Sequence, residues 1–263
     1  MNKIIGNKRF SYYLAFFLLL SLMPSNALQA EPVQSQTVSY SVRFDATWSN
    51  ETHPSDGFPT ASAHFSPLIG AVHNSQIEFW TTGELSSAGI EQMAETGGTN
   101  MLRNEIDADN NANVHMLLSG SGTNSSPATV TINEFEVSSD FPLVTLVSMI
   151  APSPDWFIGV SGLSLLGEDG NWVPELTVTL YPYDAGTEEG SGYSLGNPAT
   201  DPQQPITRIR GEAPFSDEPI GTFTFTLDPD SLEPDSPPNT IYLPLIRNGQ
   251  GGGTIPSASS GQR

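Results

Sequence analysis

From Val38 to Trp48 the chain alternates. Val38, Tyr40, Val42, Phe44, Ala46 and Trp48 take one parity, and mostly polar residues take the other. Successive side chains of a strand point to opposite faces, so this spacing yields one continuous apolar face only as a β-strand. Such a face must be covered by another layer. Further β-type runs follow at residues 114–118, 129–137, 143–150, 156–166, 176–181, 206–210, 222–227 and 240–246, separated by turn residues. The 24 glycines and 22 prolines supply that punctuation, while 37% hydrophobic residues suffice for a core. An all-β antiparallel sandwich is the expected class. Residues 87–95 and 101–108 read differently. Their composition is helical, and Gly97 and Gly98 form a stop between them. Two short helices inserted between early strands are expected.

The first thirty residues read as an address. Lys3, Lys8 and Arg9 precede an apolar run from Tyr12 to Met23, and small residues follow at Ala27 and Ala30. This is the order of a secretory signal peptide, with cleavage expected after Ala30, or alternatively after Ala27. Residues 31–248 are then the folded domain, and the Gly/Ser-rich residues 249–263 a disordered tail. Without residues 1–30, six arginines against 29 acids leave a net charge of −23. Such a chain lacks the basic face that nucleic acid requires. The absence of cysteine excludes disulfides, thiol catalysis and cysteine zinc sites.

Residues 143–189 carry the most chemistry. Gly167-Glu168-Asp169-Gly170-Asn171 is a turn signal between two β-type runs. Pairing those runs as a hairpin would bring Asp155 and Asp184 to one sheet end, with Glu188 four residues further on. Carboxylates gathered this closely need a cation or shared protons. Oxygen ligands from acids and from Gly-rich loop carbonyls are what Ca²⁺ takes. The spacing alone leaves the other reading open, that of three solvated loop acids.

Longer stretches point to a family. Residues 142–163 (Pro-Leu-Val-Thr-Leu-Val-Ser-Met-Ile-Ala-Pro-Ser-Pro-Asp-Trp-Phe-Ile-Gly-Val-Ser-Gly-Leu) and 180–188 resemble the signature of the spondin domain, the amino-terminal module of F-spondin and mindin. Residues 47–54 and 64–74 are similar to the same family, and the resemblance runs from about Val38 to about Arg210. It implies a C2-like antiparallel β-sandwich with Ca²⁺ held at one end by acids of a Pro-Asp-Trp loop and an Asp-Ala-Gly-Thr loop. Carried over, those acids fall on Asp155, Asp184 and Glu188. The family more usually has aspartate at the third position, so Glu188 is a departure. The animal members also contain cysteines, so this chain looks like a cysteine-free bacterial-type member.

Other motifs point elsewhere. His53, His64 and His73 lack the short pair spacing of a zinc site and read as hydrogen-bonded loop anchors. Asp107-x-Asp109-x-Asn111-x-Asn113 begins like an EF-hand loop but has Ala112 for glycine and Leu118 for glutamate. Gly159-Val-Ser-Gly-Leu163 fails as a nucleophile elbow, because Ser161 lies mid-strand and the closing glycine is misplaced. The acids at 228, 230, 233 and 235 read as a solvated connection, and the indoles of Trp156 and Trp172 as core.

The sequence therefore predicts a secreted, non-catalytic protein that binds Ca²⁺ through Asp155, Asp184 and Glu188. Secretion here means extracellular, or periplasmic in a Gram-negative source. Its partner would be an extracellular protein or glycan, and no membrane span would remain after signal cleavage. The rival readings are a carbohydrate-binding module, which would show a row of exposed aromatics, and a metal-assisted hydrolase, which would show a deep pocket beside the acids.

Overall fold

The computed structural model describes residues 36–109 and 112–232. The proposed signal peptide, the tail and the strand expected at 240–246 lie outside the described residues. The alternating stretch forms β1 (Thr37–Ala46), with Val38, Tyr40, Val42, Phe44 and Ala46 all buried. It pairs antiparallel with β5 (Ala128–Ser138) on one side and β11 (Gly221–Leu227) on the other. β8 (Glu175–Leu180) completes a four-stranded sheet in the order β5-β1-β11-β8. Phe223 and Phe225 lie opposite Phe44 and Val42. Phe44 meets Phe65 and Phe223 edge-on, at ring separations of 4.9 and 5.3 Å. The two sheets are held face to face by this aromatic layer.

The second sheet has a different character. Its path is β10 (Thr207–Arg208), β9 (Tyr183–Asp184), β7 (Trp156–Ser164), β6 (Leu143–Ala151), β3 (Ile69–His73) and β4 (Val114–Ser119), with β2 (His64–Phe65) pairing on β6. Every residue of β6 from Val144 to Ala151 is buried. A strand covered on both faces reads as a continuous apolar run, not as an alternation. The outer cover is a helix pair inserted between β3 and β4, α1 (Ala88–Thr96) and α2 (Asn100–Ala108). Ser87 caps α1 by accepting the Ile90 N–H. Gly97 ends it in the left-handed conformation that favours glycine, at φ 69°. Ile90, Met93 and Ala94 of α1 and Leu102 and Ile106 of α2 form a second core with Val147, Met149 and Phe157. The fold is thus three layers: sheet, sheet, helix pair.

One expectation needs correction. Residues 156–166 and 172–181 do not form a continuous hairpin. β7 and β8 lie in different sheets, and the turn at 167–171 carries the chain from one to the other. Pairing survives only beside the turn, where Val173 N–H donates to the Leu165 carbonyl (3.0 Å) and Leu166 bridges Trp172. Pro174 instead faces β11, its carbonyl accepting the Leu227 N–H at 2.9 Å, and the chain continues as β8 along that partner.

The three histidines are anchors, as expected. His73 bridges the Asn74 carbonyl and the Thr145 hydroxyl, each at 2.8 Å. His53 Nδ1 accepts the Ser216 N–H at 3.1 Å, and His64 Nδ1 lies 2.7 Å from the Ser62 carbonyl. Burial pushes the pKa of both His53 and His73 below the ordinary 6.5.

Two measurements check this account. Phe44→Ala should lower unfolding free energy by about 3–5 kcal/mol in urea titration, because it opens a cavity between the sheets. An NMR titration should place the His53 and His73 rings below 6.5. The unfolded chain then takes up those protons first, so their contribution to stability, complete above 6.5, should fall as pH drops from 6.5 toward the folded values.

Candidate metal centre

The sequence placed Asp155 and Asp184 together by a hairpin that does not exist. The structure unites them by another route. After crossing to β8, the chain turns at Tyr181-Pro182 and re-enters the second sheet as β9, which pairs with the first residues of β7. Trp156 lies opposite Asp184 and Phe157 opposite Tyr183, and Ala185 N–H extends the pairing to the Asp155 carbonyl at 3.1 Å. Asp155 and Asp184 therefore sit at one end of two adjacent strands.

Asp155 is fully buried. The loop after β9 wraps around one of its oxygens. Oδ2 accepts the N–H of Thr187 (2.6 Å), the N–H of Glu188 (3.1 Å) and the Thr187 hydroxyl (3.3 Å). Gly186 makes this wrapping possible. It holds φ 74°, and a side chain there would run into the Gln204 carbonyl. Asp155 Oδ1, also buried, has no hydrogen-bond partner. Burial raises the Asp155 pKa, and the Thr187 and Glu188 N–H groups pull it partly back. The tight turn before it is held by the buried Ser153, whose hydroxyl donates to the Ile150 carbonyl and accepts the Trp156 N–H.

Asp184 is half-buried. Its Oδ1 accepts the Gly186 N–H (2.8 Å), and its Oδ2 accepts the Trp156 indole N–H (3.2 Å). Burial, and then the neighbouring Asp155 charge, push its pKa up to about 6. Glu188 contributes its backbone N–H to Asp155, while its carboxylate accepts from Asn197 at 3.5 Å. A fourth acid was not visible in the sequence. Glu95, at the end of α1, has its pKa raised by burial and by the charges of Glu188, Glu91 and Asp155, with a Thr187 hydrogen bond opposing. It lies sixty positions before Asp155 and in a different element, so no spacing rule connects the two.

The cluster is acidic and lacks a basic counterpart. The ion pairs among the described residues join Arg43 to Asp45, His115 to Glu136 and Arg210 to Asp217, all elsewhere. Two aspartates are brought together, but among the described residues no three His, Asp or Glu side chains stand in metal-holding geometry. The residues nevertheless fit a hard cation. A buried carboxylate oxygen without a donor, next to a second carboxylate whose charge is disfavoured, is an oxygen site in want of positive charge. The base of the site is aromatic. Trp156 packs against Phe215 (5.0 Å) and Tyr193 (6.0 Å), and Trp48 against Tyr193 (5.6 Å).

Among the described residues the other motifs hold no such arrangement. Asp109 caps α2, and its Oδ1 accepts from the Asn113 side chain. Ser161 is mid-strand and donates its hydroxyl to the Trp80 carbonyl. Trp156 and Trp172 are both core.

Comparison with known proteins shows the family. The Spondin_N family model matches residues 38–224. The chain is 35% identical to Spondin-2 of Rattus norvegicus over 211 residues, covering 74% of this chain and 61% of that protein. It is 38% identical to Spondin-2 of Homo sapiens over 183 residues, covering 66% and 53%. Against Spondin-1 of Gallus gallus it is 32% identical over 197 residues, covering 71% and 24%. The chain belongs to the Spondin_N family. It spans about three fifths of the rat Spondin-2 and about a quarter of the chicken Spondin-1.

Gly186→Ala tests the loop. A left-handed alanine costs about 1–2 kcal/mol before any clash with Gln204 is counted. The urea midpoint should fall accordingly, and hydrogen exchange at the Thr187 and Glu188 amides should accelerate.

Proposed function

We propose that this chain is a secreted, non-catalytic Ca²⁺-binding interaction module. Asp155 and Asp184 would hold one structural Ca²⁺, with Glu188 joining if its carboxylate leaves Asn197. The observation that carries this reading is the buried, donorless Oδ1 of Asp155 beside Asp184. The bound ion would supply the positive charge that the cluster lacks. The chain's own groups do the rest. Gly186, Thr187 and Glu188 orient the two carboxylates through backbone N–H groups, and the Trp156 ring shuts water from one side. Ordering of the 184–200 loop is the consequence, and that loop with its neighbours presents the surface to an extracellular protein or glycan.

Secretion is supported by the signal-like first thirty residues, and no helix among the described residues is long and apolar enough to cross a membrane. Two observations favour an interaction role over the rival readings. A cleft of about 600 Å³ is lined by Ser39, Tyr40, Asn133 and Glu134, and neither Asp155 nor Asp184 borders it. Among the described residues, no aromatic side chain is fully exposed, and the exposed large hydrophobics are Leu85, Met101, Leu195 and Leu232.

Thermal unfolding in EGTA and in added Ca²⁺ tests the proposal. Extracellular modules bind Ca²⁺ with dissociation constants of roughly 10⁻⁴ to 10⁻³ M. At ten to a hundred times that concentration the ion stabilises by about 1.4–2.7 kcal/mol, which is a rise of several degrees. Asp184→Ala should abolish the rise and the exposed Asp230→Ala should preserve it. An unchanged wild-type melting temperature would sink the cation site.

A further inference from the structure

A second surface differs from the rest of this acidic chain. Among the described residues, β7 is paired with β9 only through Trp156 and Phe157, so the outer edge of its residues 158–164 carries no described strand. β8, paired among the described residues only with β11, is the open edge of the other sheet. Between these two edges lies a cleft of about 320 Å³, bordered by Gly159, Ser161, Thr179, Trp80, Tyr181 and Arg208.

Among the described residues its one charged group is a cation. Arg208 is exposed and has no ion pair among the described residues, and its guanidinium lies 4.7 Å from the Tyr181 ring centre and 5.8 Å from that of Tyr183. Arg210 stacks on the same Tyr181 ring at 4.2 Å. The guanidinium is a donor only, so the matching ligand atom is an acceptor that bears negative charge. A carboxylate supplies it. Stacking on tyrosine holds the guanidinium in place without neutralising it.

The remainder of the ligand follows from the edges. Sugars are held against open aromatic faces, but here the Tyr181 face is occupied by arginine, the Tyr183 ring stacks on Phe157 (5.5 Å), and Trp80 is buried. An unpaired strand edge offers alternating N–H and C=O groups to an extended backbone. We propose that the β7–β8 cleft docks an extended peptide segment bearing a glutamate or aspartate, with its backbone along the open edge of β7 and its carboxylate on Arg208. This names the partner chemistry of the interaction module proposed above and rests on that reading, but not on the cation.

The test uses the chain lacking residues 1–30 and a fluorescein-labelled Thr-Val-Glu-Val-Thr-Val peptide, its Gln counterpart, and labelled polygalacturonate as an anionic glycan. Fluorescence anisotropy should show saturable binding of the Glu peptide, weakened roughly tenfold to a hundredfold by Glu→Gln in the peptide or by Arg208→Gln in the protein. The two changes together should weaken binding no more than either alone. Equal affinity for the Glu and Gln peptides, unchanged binding by Arg208→Gln, or binding of polygalacturonate alone would overturn the proposal. The Ca²⁺-induced melting shift is measured on the same samples. Lost peptide binding with that shift intact refutes the peptide cleft alone, whereas a lost shift with peptide binding intact refutes the cation site alone.

Discussion

The short ladder between β7 and β9 is the constraint on which the site depends. It is two residues long on the β9 side, yet it sets Trp156 opposite Asp184 and thereby places Asp155 next to the loop that wraps it. Strand pairing fixes register in whole residues, and a slip of one would turn Asp184 to the other face of the sheet. The aspartate pair is therefore as well defined as the sheet. The conformation of the following loop is less general, since it relies on one residue, Gly186, adopting a backbone angle that other residues resist.

Much of the fold was legible because burial leaves a period in the sequence. β1 has one buried face and alternates; β6 is covered on both sides and does not. Each pattern follows from what lies above and below the strand. The helix pair was legible through its helical composition and its glycine stop. The hairpin was misread for a definable reason. A turn with β-type runs on both sides fits a hairpin and a crossover between sheets equally well, and only the partners of each strand distinguish them. β8 found β11 and β7 found β6, so the flanking runs parted after two residues.

The candidate site was legible in a similar, partial way. Asp155, Asp184 and Glu188 were indicated by a family resemblance, and the structure brings the first two together while the third carboxylate reaches Asn197. Glu95 was invisible because its proximity results from helix packing on the second sheet, an effect without a local signature. Arg208 was equally hidden. Its significance comes from two sheet edges left open on the same flank, one from each half of the sandwich.

Trp156 belongs to two structures at once. Its ring is a wall of the core, against Phe215 and Tyr193, and its indole N–H holds Asp184. The acids and the aromatic layer beneath them are consequently one object with respect to change. A substitution in the core that rotates this indole by a small angle withdraws a donor from the carboxylate, and a loop moved alone onto another sandwich would arrive without the ring that aims it. Whatever this end of the molecule binds, its chemistry can be transplanted only together with the hydrophobic layer that supports it.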